Sequence, residues 1–139
     1  MKALVVCLSF FLFLSGAASV QAAYLGEYCW QGDEGEVVRL AVNDMGGGHY
    51  LLNGRGDFTS GPSPMTGNAE VVGNSVYITL TNTDGDQWGV GGAISRIVLI
   101  AGNLGGTRES LSMWYVYGES SEIVHTSFDT GTLTRITCP

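Results

Sequence analysis

From Tyr24 to Cys138 the chain is built from short stretches in which apolar and polar residues alternate with a period of two. Ser75–Thr83 sets Val76, Ile78 and Leu80 against Tyr77, Thr79 and Thr81, and Glu36–Asn43 sets Val38, Leu40 and Val42 against Arg39 and Asn43. Such alternation predicts strands with one covered face. Six more strands are predicted at Tyr24–Gln31, His49–Asn53, Ala69–Val72, Ala93–Ala101, Thr107–Tyr117 and Thr132–Cys138. Ala93–Ala101 is apolar on both faces, as in a well-covered strand. Thr107–Tyr117 carries Leu111, Met113, Tyr115 and Tyr117 in one phase, which reads as its inward wall, with Trp114 in the opposite phase, facing out. No stretch has a helical period.

Glycine marks the breaks. Asp44–Gly48, Gly73-Asn74, Asp84–Asp86 and Gly102–Gly106 read as tight turns, because glycine adopts positive φ without strain. Gly54–Gly67, with Pro62 and Pro64 inside it, reads as a loop.

Eight strands in sequence with short connections predict neighbours in space that are neighbours in sequence. An antiparallel meander escapes exposed edges by closing into an up-and-down barrel or folding into a two-sheet β-sandwich. The fold class is therefore all-β, an eight-stranded antiparallel barrel, with the sandwich as the alternative.

The first segment stands apart. Lys2 precedes an apolar run from Ala3 to Leu14, and small residues follow up to Val20-Gln21-Ala22. That is the three-part pattern of a secretory signal peptide. A run of about 12 apolar residues is shorter than the roughly 20 that a spanning helix needs. Residues 1–22 are thus expected to be a signal peptide and 23–139 a single domain, secreted or periplasmic and off the membrane once processed.

Without that segment the chain holds 5 Arg and no Lys against 13 carboxylates, a net charge of −8. This excludes nucleic acid as the main partner, since phosphate binding needs clustered cations. With 45% hydrophobic and 14% charged residues, a disordered chain is excluded as well.

Cys29 and Cys138 are the two cysteines left after the signal. In an oxidising compartment they are expected to pair. One lies in the first strand and the other at the end of the last, so the bond would staple the seam of a closed barrel. Setting Cys29 opposite Cys138 places Trp30 opposite Thr137 and sends Tyr28, Trp30, Leu133 and Arg135 to the bulkier face, which reads as inward.

Gly26-Glu27-Tyr28-Cys29-Trp30 on the first strand, with Arg135 near the chain end, resembles the calycin superfamily of lipocalins, avidins and fatty-acid-binding proteins. Those are closed barrels in which a basic residue packs across a first-strand Trp at the closed end. Here three residues separate Gly26 from Trp30, where lipocalins have one. The resemblance implies a ligand held inside the barrel, and it carries over Trp30 and Arg135.

The candidate ligand-binding residues are Trp30, Met113, Tyr115 and Arg135, lining a site for a small, partly apolar molecule. No metal, cofactor or catalytic residue is assigned. His49 and His125 are the only near-neutral bases, and neither belongs to a nucleophile motif. Asn82, Asp84 and Asp86 alternate as in a calcium loop, but Gln87 and Ala93 stand where an EF-hand needs Gly and Glu. Arg55-Gly56-Asp57 spells the integrin tripeptide within the predicted loop. The leading expectation is a non-enzymatic binding barrel. The alternatives are a structural or protein-interaction module, with a homo-oligomer through an outward Trp114, and a barrel isomerase or cyclase.

Overall fold

The computed structural model describes residues 22–59, 61–85, 89–116 and 123–139, and of these the side chains of all but 84–85, 89–91, 114–116 and 123–125. The segment expected to be a signal peptide thus lies outside the described residues, apart from Ala22. The chain forms β1 (Ala23–Gly32), β2 (Val37–Gly46), β3 (His49–Phe58), β4 (Gly61–Val72), β5 (Ser75–Gly85), β6 (Gly89–Ile100), β7 (Gly106–Val116) and β8 (Ile123–Ile136). Each strand pairs antiparallel with the next, and β1 pairs with β8, so the sheet closes into an eight-stranded up-and-down barrel. The sandwich alternative falls with that closure.

All eight predicted strands are present, but the predicted loop at Gly54–Gly67 is not. β3 runs on to Phe58 and β4 starts at Gly61, with Asp57 opposite Pro62 and Arg55 opposite Pro64. The pairing of β4 with β5 begins only at Met65, so both prolines sit where β4 has a neighbour on one side alone. A missing N–H is tolerated at such an edge. Arg55-Gly56-Asp57 is accordingly strand, with Gly56 buried and an Arg55 Nε–Asp57 Oδ1 distance of 3.3 Å.

The seam is the weakest joint of the sheet. Four register pairs, Cys29–Ile136 to Gly32–Leu133, join β1 to β8, against eleven between β6 and β7. Trp30 stands opposite Arg135 rather than Thr137, a slip of two residues from the expected register. A slip of two keeps every side chain on its face, whereas a slip of one would reverse them all. The Cys29–Cys138 disulfide is formed, with the two Cα atoms 5.1 Å apart, and it lies on the outer face. The Arg39 guanidinium donates to the Pro139 carbonyl beside it, which pins the chain end over β1 and β2.

β1 also carries a register shift between Tyr24 and Gly26, and Gly26 has φ 126° there. Only glycine takes that conformation cheaply. Inside the barrel a belt of Trp30, Leu40, Leu52, Leu80 and Leu99 fills the middle. The belt divides the interior into a base, under the β2–β3, β4–β5 and β6–β7 turns, and a mouth at the opposite end.

Candidate functional site

The base is built around two aromatics and a cation. Tyr28 and Trp30 are two apart on β1, so they share a face, and their rings stack with centroids 6.2 Å apart and 21° between planes. Arg135 reaches across the seam to place its Cζ 4.8 Å from the Tyr28 centroid and 5.5 Å from that of Trp30. Its Nη1 donates to the Cys29 carbonyl at 2.8 Å and also to the Ile136 carbonyl. The Trp30 indole N–H donates to the Leu104 carbonyl at 2.8 Å. Leu104 is the one non-glycine with positive φ among the described residues, at 57°, in the β6–β7 turn. A cavity of about 250 Å³ opens here, lined by Tyr28, Trp30, Val42, Tyr50, Leu99 and Leu104 among others, and its lining is almost wholly apolar.

The predicted site residues are therefore brought together only in part. Trp30 and Arg135 meet, but Arg135 lies behind the rings and is bound to backbone rather than lining the cavity. Met113 falls in the phase of Glu109 and Leu111, which face outward, so it does not wall the interior. The expected inward phase of β7 is reversed. Ser110 and Arg108 point in, and the apolar residues point out. The side chains of Tyr115, Trp114 and His125, like Trp88 and Asp86, lie outside those described.

The mouth is the richer site, and none of its residues was among the candidate ligand-binding residues read from the sequence. Its cavity has a volume of about 420 Å³. Val38, Met65, Leu80, Ile97 and Leu133 form an apolar floor, and Phe58 stands at the rim. The Phe58 ring lies over Gly56, where an added Cβ would meet its edge at 2.3 Å, and the Met65 sulfur is beside it. Above the floor the wall turns polar. Ser95 and Ser110 are buried cross-strand partners whose hydroxyls bond at 2.6 Å. On the adjoining strands β5 and β4, Asn82 Nδ2 donates to Ser63 Oγ, which donates to the Thr83 carbonyl.

The charges at the mouth come from three elements. Arg108 on β7 sends Nη2 to Asp129 on β8 at 2.9 Å and to Glu36 in the β1–β2 connection at 3.4 Å. The Arg108 and Glu36 side chains keep only 17% and 9% of their surface. The other Glu36 oxygen accepts the Glu34 N–H at 3.0 Å. Gly131 makes room for this arrangement. A Cβ there would lie 3.2 Å from Asp33 Oδ2 and 3.5 Å from Arg108 Nη2.

Asp33 fastens the same end of the seam, with one oxygen accepting the Thr132 N–H at 2.7 Å and the other its hydroxyl. The Thr132 hydroxyl first, then the Thr132 N–H, holds the Asp33 carboxyl below its ordinary value, and Arg108 adds to this against a small opposing cost of desolvation. Among the described residues, no group of three or more His, Cys, Asp or Glu is placed to hold a metal ion. No family model matches the chain, and neither does any curated protein or solved structure.

Proposed function

We propose that this is a secreted, non-enzymatic barrel of calycin-like type that holds a small, partly apolar molecule in its mouth. The observation that carries this reading is the 420 Å³ cavity with an apolar floor and polar walls. Ligand pockets are typically about 300–1,000 Å³, mostly apolar, with a few placed polar groups. The base cavity, at about 250 Å³, falls below that range, and the Trp30 N–H and Arg135 Nη1 beside it already have partners. The binding residues of this reading are thus Phe58, Asn82, Ser95 and Ser110 rather than Met113 and Tyr115. The disulfide supports passage through an oxidising compartment, where such bonds persist, and the pattern of residues 1–22 supports export.

Native mass spectrometry against a panel of small amphiphiles tests the proposal. At least one should bind one to one, and Ser95→Leu, which fills the cavity, should abolish binding while the protein stays folded. If no member binds, the proposal fails.

A second reading has one observation behind it. Ile94, Leu111 and Phe128 stand directly opposite one another on β6, β7 and β8 and are 46%, 42% and 65% exposed. An outward apolar row of this kind suits a protein-interaction module, including self-association. Sedimentation velocity separates the two readings. A dimer lost in Phe128→Ser supports the second, and a wild-type monomer at high concentration removes self-association.

A further inference from the structure

We infer that the molecule taken by the mouth is an amphiphilic organic cation, an apolar body carrying an amine or quaternary ammonium group. The inference rests on the reading of the mouth as a ligand cavity and adds the charge class of the ligand. Four charged residues line that cavity among the described residues: Glu34, Glu36, Arg108 and Asp129. Three are carboxylates. The single cation is already committed, since Arg108 Nη2 contacts both Glu36 and Asp129, and its Nε is buried without a partner or access to solvent. An incoming anion would find no unengaged positive group and would meet three negative ones.

The other arginines do not change this balance. Arg39, Arg55 and Arg96 pair with Glu27, Asp57 and Glu109, and Arg135 is held at the base. Glu34 is exposed and makes no ion pair among the described residues, so its carboxylate is open to a ligand at the rim. The Phe58 ring, resting on Gly56 beside Met65, adds an aromatic surface at the same opening. Ammonium groups are attracted to carboxylates and aromatic faces together. Below the rim, Val38, Leu80, Ile97 and Leu133 offer the apolar body a dry floor. The net charge of −8 after loss of residues 1–22 draws cations toward the molecule from a distance.

The test is isothermal titration of the processed protein with three probes of one chain length: octyltrimethylammonium, octanol and octanoate. The expected order is octyltrimethylammonium at least tenfold tighter than octanol, with octanoate weakest. The cation's advantage should shrink as salt is raised. Glu34→Gln with Asp129→Asn, two exposed positions that leave the core untouched, should cost the cation several-fold and leave octanol unchanged. Equal binding of all three probes, or tighter binding of octanoate, overturns the charge class while leaving the cavity as a ligand site. Failure of all three to bind overturns both.

Discussion

The two ends of this barrel solve the same seam with different chemistry. At the base a disulfide ties Cys29 to Cys138 on the outside, and Tyr28, Trp30 and Arg135 pack inside. At the mouth there is no covalent link. The Asp33 carboxylate grips Thr132, and Arg108 bridges Glu36 and Asp129. At the base the Trp30 N–H and the Arg135 guanidinium are spent on backbone carbonyls, beside a small, largely apolar hollow. The mouth keeps the larger cavity, and one of its rim carboxylates stays open to solvent. The covalent fastening sits at one end, and the larger cavity at the other.

The disulfide should dominate the stability of the base. Cys29→Ser with Cys138→Ser opens a link spanning a sequence separation of 109. For such a loop the chain-entropy model gives about 4–5 kcal/mol, with measured losses often smaller. Urea unfolding checks it, and a change below about 1 kcal/mol would place the main fastening elsewhere.

Trp30→Ala should cost about 3–5 kcal/mol, because it empties a core position and leaves the Leu104 carbonyl without its donor. The sharper outcome concerns binding. With the fold retained, affinity at the mouth should move less than twofold. A large loss of affinity would mean that the base takes part in binding.

Arg108→Ala tests the mouth from the other side. Removing the cation leaves the nearly buried Glu36 carboxylate uncompensated. The expected loss is about 2 kcal/mol, below the 3–5 of a fully buried broken pair because both side chains keep some water contact. Affinity for an alkylammonium probe should rise at the same time, since the local negative charge grows.

The smallest effect is the Asp33 clasp, and it carries a pH signature. Its folded carboxyl titrates below the ordinary 3.8, so its contribution is complete above that value and fades as pH falls through the lower folded value. Asp33→Asn should be less stable than the wild type at pH 7, with the gap narrowing toward pH 2 in thermal unfolding. A gap of constant size would show that the carboxylate charge is not what matters.

The base was legible from sequence, and the mouth was not. The strands follow from alternation, and the seam follows from two cysteines, one in the first predicted strand and one in the last. The face shared by Tyr28, Trp30 and Arg135 follows because it survives a register slip of two. At the mouth the usual rule is inverted. On β7 the polar residues Arg108 and Ser110 turn in, and Leu111 and Met113 turn out. Alternation gives the period but not which phase faces inward. What turns Arg108 inward is remote in sequence: Glu36, Asp129 and the bare backbone of Gly131. The strands hidden in Gly54–Gly67 were masked by two prolines that only an edge position could accept.

The most direct measurement is an NMR titration of the labelled protein with octyltrimethylammonium, following backbone amides and the tryptophan indole N–H signals. The amides of Glu36, Ser95, Arg108 and Ser110 should shift together with a single binding curve, while the Trp30 indole and the Leu104 amide stay in place. Shifts confined to Trp30 and Leu104, or spread evenly over the surface, would contradict the assignment of binding to the mouth.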